Sequence, residues 1–445
     1  MNTKQLILVA IAAATGAALA AVPEVSNVTM TQAANRLVTI TYQLTEAAVV
    51  TLDIQTNANT SAAANDPGWT TIGGEAVCNA RGDVWKQVSG KATYTITWQP
   101  DQSWKGPDEN GFKIAANGAR ARVTAWPLDN TPDYMAVDVS AAAQPNTQTY
   151  YPAADFVPGG VTNSIYKTTK LLMRKIMAKD VEWTMGSTTL EKDYLRKAER
   201  EATHQVTLTN NYYIGVYEVT QSQWSQVATN SDFLAKFSTE RPMRPMGVSY
   251  NRMRHSVANS SDTSYYYPAD PNPSSFLGLL RSKTGIDFDL PSEAQWEFAA
   301  RAGKGVGYWN DGSDIQGKNQ DANLDLLGRY KYNGGMVLNG TNYAEPADDC
   351  GVTNGTAIVG SYTPNGWGLY DMHGNVWELC LDLFVNDISA LNGAVNTESG
   401  SERVARGGSY NSEAGNVRPA YRASYAPTYS GAGYGFRVAC TAGLE

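Results

Sequence analysis

The chain is poor in thiol, imidazole and charge. Three His and four Cys are spread over 445 residues, and none fall at the short spacings that metal-ligand pairs use. Charged residues make up 18%, below the roughly 25% usual for a soluble domain. The balance of 35 basic against 43 acidic residues gives −8. No block of about five like charges occurs, which excludes nucleic acid and anionic membranes as electrostatic partners. Beyond the start of the chain no run approaches the ~18 apolar residues of a membrane-spanning helix. A phosphate loop and a dinucleotide fingerprint are missing, and Ser409 lacks the Gly-x-Ser-x-Gly setting of a hydrolase nucleophile.

Apolar mass and aromatics are plentiful. Hydrophobic residues reach 42%, with 25 Tyr, 11 Trp and 40 Gly, enough to build a core and to exclude a disordered chain. At roughly 100–200 residues per domain, the length implies two or three domains. Residues 1–20 read as an export signal: Lys4 in a polar start, an apolar run from Leu6 to Ala20, and the small-x-small Ala18-Leu19-Ala20. The mature protein is expected to begin near Ala21 and to be periplasmic, cell-surface or extracellular in a bacterium. In an oxidising compartment Cys78, Cys350, Cys380 and Cys440 could pair in three ways. One bridge among Cys350, Cys380 and Cys440 is expected, because Cys78 lies far from them.

Residues 21–140 carry short β-rich stretches: Leu37–Leu44, Val49–Ile54, Ala92–Trp98 and Ala121–Trp126, with period-two patterning and turn-rich pieces between. This predicts an all-β sandwich of immunoglobulin or fibronectin type. Its tryptophans, Trp69, Trp85, Trp98, Trp104 and Trp126, read as core, with carbohydrate platforms as the alternative. Residues 141–167 read as a linker.

From residue 168 the texture becomes α+β with a large irregular fraction. Glu182–Gly186, Thr207–Thr209 and Tyr212–Tyr217 are extended pieces. Thr220-Gln221-Ser222-Gln223 and Ser292-Glu293-Ala294-Gln295 are capping boxes that open helices. In the second, Trp296, Ala299 and Ala300 make one apolar face and Gly303 is a stop. Glu293 and Glu297, four apart on that helix, read as a solvated face with a structural ion pair rather than an acid–base pair.

Seven stretches in this order carry a family resemblance: Trp183–Gly186, Tyr217–Thr220, Arg244–Tyr250, Leu290–Arg301, Asn365–Glu378, Arg406–Tyr410 and Gly435–Val438. Residues 168–445 resemble the formylglycine-generating enzyme, or sulfatase-modifying factor, family, which implies a C-type-lectin-like fold. The family's enzyme oxidises a substrate cysteine with a copper-binding cysteine pair. Matched from Gly407-Gly408-Ser409-Tyr410, that pair falls on Ser412 and Val417. A hydroxyl is a poor ligand for soft Cu(I) and an isopropyl group is none, so no catalytic residue and no copper are expected. The resemblance does imply a calcium ion held by Asp371, Gly374, Val376 and Glu378, hard oxygen donors from one tight loop. The plainer reading of those residues is a loop cap at Asp371 and a buried salt bridge at Glu378. His373 and Trp377 read as packed residues.

Residues 410–434 number 25, among them five Tyr, five Ala, three Ser, three Gly and two Asn, with no Lys, Gln, Met or Trp. That is the composition of a paratope. Departures from the family cluster at Ala423, Tyr425, Tyr429 and Gly431–Gly433, and the bias resembles that of the variable proteins of diversity-generating retroelements. The expected function is a secreted, non-catalytic ligand-binding protein. It would take a protein or glycan through Tyr410, Asn411, Ser412, Tyr425, Tyr429 and Tyr434, the tyrosines exposed on loops braced by the calcium region. The alternative is an exported enzyme of the sulfatase-modifying-factor family, of formylglycine-generating or iron-dependent type.

Overall fold

The computed structural model describes residues 22–104, 118–188, 197, 199–228, 243–256, 264–305, 307–339, 342–344, 355–398 and 400–443. The expected export signal at 1–20 lies outside the described residues, as does Cys350. Among the described residues no helix is long and apolar enough to cross a membrane. The fold is mostly β.

The N-terminal part is two antiparallel sheets. In one, β1 (Val25–Gln32), β2 (Val38–Leu44), β7 (Tyr94–Trp98) and β5 (Arg81–Gly82) are neighbours in that order. In the other, β3 (Ala48–Thr56) pairs with β8 (Ala119–Trp126) along its length, and with β4 (Thr70–Thr71) and β6 (Lys86–Val88) at its ends. Alternation places Val38, Ile40 and Tyr42 of β2 against Val50, Leu52 and Ile54 of β3, so the sheets share one core. Trp85 and Trp98 belong to that core, and Trp104 packs on it.

The central sheet runs β10 (Thr149–Tyr151), β9 (Tyr134–Asp138), β11 (Lys170–Ile176), β14 (Tyr212–Gly215), β21 (Ala439–Thr441). This corrects the expected linker. Residues 141–167 hold an edge strand and bury Tyr150, Tyr151, Phe156, Val157 and Tyr166. β9, counted with the N-terminal domain, pairs with β11 over Asp138↔Lys170 to Tyr134↔Arg174. The buried residues there are aromatics separated by turns, so they carry no helical or strand period. Tyr134, Ala136, Tyr151 and Leu172 join the same core as β2 and β3, which fuses the two halves.

A smaller sheet has the order β19 (Ala423–Tyr425), β18 (Arg403–Arg406), β17 (Trp377–Leu383), β20 (Tyr434–Gly435). Two hairpins complete the strands: β12 (Glu182–Met185) with β13 (His204–Thr207), and β15 (Val337–Asn339) with β16 (Asn342–Ala344). Helix Phe276–Thr284 packs with Trp224 and Phe436 on one face, Trp224 and Phe276 stacking at 4.4 Å. Helix Glu293–Arg301 packs through Trp296, Ala299 and Ala300 on another. Both expected capping boxes form, at Thr220/Gln223 and Ser292/Gln295, devices worth about 1 kcal/mol each. The second helix ends at Arg301, with Ala302 left-handed at φ 47° and the expected stop, Gly303, left-handed behind it at φ 80°.

Cys78, Cys380 and Cys440 are free thiols. Any bridge among Cys350, Cys380 and Cys440 would use one of the last two, so the expected disulfide is not formed.

A chain beginning at residue 168 keeps every family motif but lacks β9 and β10. It should fail to give the cooperative thermal unfolding transition of the 21–445 chain; an equally cooperative transition would show the central sheet to be complete without them.

Candidate functional site

Two neighbouring features bear on function: the tight loop that leads into β17 and the segment that crosses between the edges of its sheet. Gly374 stands at φ 78°, and a Cβ there would lie 1.9 Å from the Arg329 carbonyl oxygen. Only glycine fits this turn. Asp371 and Asn375 flank it, both left-handed at φ 57° and 59°, a conformation side-chain-bearing residues adopt seldom. Asn375 secures the loop by accepting from Ala357 N–H at 2.8 Å and donating to Glu218 Oε2 at 2.6 Å.

The sequence expected Asp371, Gly374, Val376 and Glu378 to share one tight loop; the structure places Asp371, Gly374 and Val376 in the loop and Glu378 on β17 just beyond it. Their side chains do different work. Arg437 donates to both oxygens of Glu378 at 2.6 Å, and Trp296 Nε1 donates to Oε2 at 2.7 Å. Glu378 therefore makes the buried salt bridge of the plainer reading. Asp371 accepts from Gly360 N–H through Oδ2 at 2.6 Å, while its buried Oδ1 has no hydrogen-bond partner among the described residues. Burial pushes the Asp371 carboxyl up to about 6, against the pull of Gly360 N–H, Arg437 and Lys167. Glu218, buried beside Asp371 and Glu378, is raised well above the ordinary carboxyl range by burial first and those two charges next. As calcium donors the residues fit in part. Asp371 Oδ1 is an orphaned hard oxygen, whereas Glu378 is committed to Arg437.

The positions of the family's cysteine pair are buried. Ser412 Oγ accepts from Ser409 N–H at 3.0 Å. Val417 is buried among Trp309, Leu327, Tyr330 and Ala414. His373 Nδ1 donates to the Val417 carbonyl at 2.9 Å, its ring edge-on to Trp309, and burial pushes its pKa down to about 4. It is a neutral packed residue, as expected. Gly407 and Gly408 are both left-handed, and a Cβ on Gly408 would meet Val417 Cγ1 at 2.4 Å, which explains the paired glycines.

The tyrosine window is corrected in part. Tyr410 and Ser412 are buried; of that group only Asn411 is exposed. Residues 417–422 are buried framework: Arg418 pairs with Glu201 at 2.9 Å and Arg422 with Glu293 at 2.5 Å. Tyr425 and Tyr434 are half-buried, because each sits on an edge strand with its ring turned inward, Tyr425 lying 5.9 Å from Trp377 and 4.5 Å from Tyr434. Tyr429 alone of the three is exposed, at 50%, with its ring 5.7 Å from Tyr425 and 4.8 Å from Tyr434. Since β19 and β20 lie at opposite edges of one sheet, residues 426–433 must cross it, and Tyr429 stands on the crossing. The crossing is braced from the tight loop, Trp377 N–H donating to the Gly433 carbonyl at 2.8 Å.

Glu293 and Glu297 are not a solvated face. Both are buried, and Glu297 pairs with Arg301 at 2.7 Å and with Arg406. Burial alone would raise Glu293, but Arg422 and Arg406 outweigh it and hold the carboxyl low. Sequence reasoning missed Glu218, Arg437 and Asp382. An acidic residue inside the apolar run Tyr212–Val219 was the available signal for Glu218.

The match with known proteins follows this geometry. Residues 169–442 match the family described as Sulfatase-modifying factor enzyme 1-like domain, and the chain belongs to it. A formylglycine-generating enzyme of Thermomonospora curvata is 35% identical over 159 residues, covering 34% of this chain and 48% of that protein. The chain thus spans about half the length of that relative. The Chaperone protein LppX of Paenibacillus barcinonensis is 26% identical over 275 residues, 57% of this chain and 91% of its own. Among solved structures, Treponema denticola variable protein 1 aligns with a TM-score of 0.43 at 24% identity, covering 61% of this chain and 96% of that one.

Asp382 generates a pH prediction. It is buried, accepts from Glu293 N–H at 2.7 Å and Asn396 N–H at 3.0 Å, and burial, then Glu293, push it up to about 7. An unfolded carboxyl titrates near 4, so between about 4 and 7 the native chain binds the extra proton. That stabilisation is full below about pH 4 and is lost as pH rises toward 7. Asp371 and Glu218 act in the same direction, and His373, held neutral down to about pH 4, acts in the opposite one, three carboxyls against one imidazole. The melting temperature should therefore rise as pH falls from about 7.5 to about 5, and Asp382→Asn should flatten the slope. An unchanged slope in that variant would refute the assignment.

Proposed function

We propose that this chain is a secreted, non-catalytic ligand-binding member of its family, which contacts a protein or glycan through the segment crossing β17. We read its N-terminal sheets as an immunoglobulin-type sandwich and the remainder as a C-type-lectin-like domain. The observation that carries the function is Tyr429, an exposed ring standing on two half-buried tyrosines, of which Tyr425 rests on Trp377. A rigid aromatic on a packed base offers contact area at small entropy cost, the property of interface hot spots. Tyr425, Gly431 and Ala432 lie beside it, half-exposed, so several of the departures from the family fall where substitution changes the surface, while Gly433 is buried beneath them. Arg418 and Arg422, which hold the frame, keep the family's residues. Adenine-directed diversification of this segment accounts for both halves of the pattern. It requires a reverse transcriptase gene and a near-identical template repeat beside the locus.

Peptides selected from a phage-displayed library on the wild-type protein should lose at least about tenfold in affinity on Tyr429→Ala, with the melting temperature nearly unchanged. Tyr425→Ala and Tyr434→Ala should lower the melting temperature as well, since their rings are packed. Selected peptides indifferent to Tyr429→Ala would overturn the reading. The competing reading, a formylglycine-generating enzyme, draws on the named relatives. Incubated with oxygen, copper and a peptide carrying Cys-x-Pro-x-Arg, this chain should give no aldehyde, because Ser412 and Val417 supply no thiolate. Aldehyde from the unmodified chain would establish the enzyme instead.

Calcium belongs to the same proposal, centred on Asp371 Oδ1 with backbone carbonyls of the Gly374 turn. A bound ion would neutralise the excess of buried carboxylate among Glu218, Asp371 and Glu378. Chelation should lower the melting temperature, since a ligand of the native state stabilises it in proportion to RT ln(1 + [L]/Kd). Asp371→Ala should abolish that response. Glu378→Ala should instead cost about 3–5 kcal/mol with or without chelator, by leaving Arg437 buried without its partner. A wild-type melting temperature indifferent to chelator would discard the site.

A further inference from the structure

A cleft of about 650 Å³ opens on the flank of the central sheet, and no residue of the 410–434 window lines it. It is lined by β21, Leu381 of β17 and Leu290, with residues 207–210, residues 392–395, Thr397 and Tyr267-Pro268 around them. The volume falls within the roughly 300–1,000 Å³ of small-molecule sites. The lining is fixed: Asp289 and Ala439 exchange both backbone hydrogen bonds, at 2.9 and 2.7 Å, and Thr207 N–H donates to the Asn392 carbonyl at 3.4 Å. Gly393 stands at φ 103°, where a Cβ would press on Val206 Cγ1 at 2.9 Å.

The lining sets the chemistry. Among the described residues no Lys or Arg lines the cleft, which disfavours phosphates and carboxylates. Of its two acids, Asp289 is neutralised by Arg254 and by Arg281 at 3.4 Å, and Asp287 projects into solvent at the mouth, 95% exposed. The remaining polar groups are neutral hydroxyls and amides, chiefly Thr209, Asn210, Asn392 and Thr441, arranged around the Tyr267 ring and the apolar side chains of Leu290 and Leu381. Neutral donors and acceptors around an aromatic and aliphatic base suit a ligand with a hydroxyl rim and an apolar C–H face. We propose that this cleft is a second binding site, for one unit of a neutral saccharide. It rests on no residue of the tyrosine surface and stands or falls apart from it.

The test is calorimetric titration of the 21–445 chain with cellotetraose, mannotetraose and the tetramer of N-acetylglucosamine. At least one should bind, and Asn210→Ala and Asn392→Ala should each weaken it about tenfold. Both residues are exposed, so neither variant threatens the fold. Tyr267→Ala should abolish binding, while Tyr429→Ala should leave it unchanged. Two results overturn the proposal: no binding of any of the three at millimolar concentration, or binding that survives both asparagine variants.

Discussion

The Arg437–Glu378 pair is the interaction on which the C-terminal half turns. Arg437 sits between β20 and β21, the point where the chain passes from the smaller sheet to the central one. Its guanidinium reaches Glu378 of β17, the Gly215 carbonyl of β14 at 2.8 Å and the Tyr370 carbonyl at 3.0 Å. One side chain thus fastens both sheets and the tight loop. Burial alone would favour losing its proton; the facing carboxylates outweigh that and hold it charged. A buried pair of this kind adds little net stability against an apolar substitute, but removing either partner alone is severe. Its value lies in specifying one arrangement.

The same device recurs along the last part of the chain. Arg406 meets Glu297, Arg418 meets Glu201 and Arg422 meets Glu293, each buried and each also donating to backbone carbonyls. These pairs fix everything around the crossing segment except the crossing itself. A surface that tolerates change needs a frame that does not, and here ionic, directional pairs reinforce the packed apolar layer of Trp377, Leu379, Ala405 and Tyr421.

Much of the fold was legible. The strands of the N-terminal sheets, both capping boxes and the burial of Trp377 and His373 could be read because each depends on local pattern or on a short motif. The supposed linker was misread because its buried aromatics are spread over a three-residue edge strand, Tyr150 and Tyr151, and two short 3-10 helices, Phe156 and Tyr166, too short for a period to show. Tyr425 and Tyr434 were misplaced for another reason. Composition tells which residues can make contacts but not which way an edge-strand side chain points. Glu293 and Glu297 looked solvated because, Arg301 apart, their arginine partners lie more than 100 residues away in sequence.

The free thiols carry a consequence for how the protein fails. Cys380 and Cys440 are buried, and burial raises both thiols well above their ordinary range, so little reactive thiolate exists while the chain is folded. Unfolding removes that protection at once. In an oxidising medium the opened chain would be captured by bridges that the native arrangement does not contain, and refolding would be blocked. The durability of the protein would then be set by how rarely it opens, a rate rather than an equilibrium.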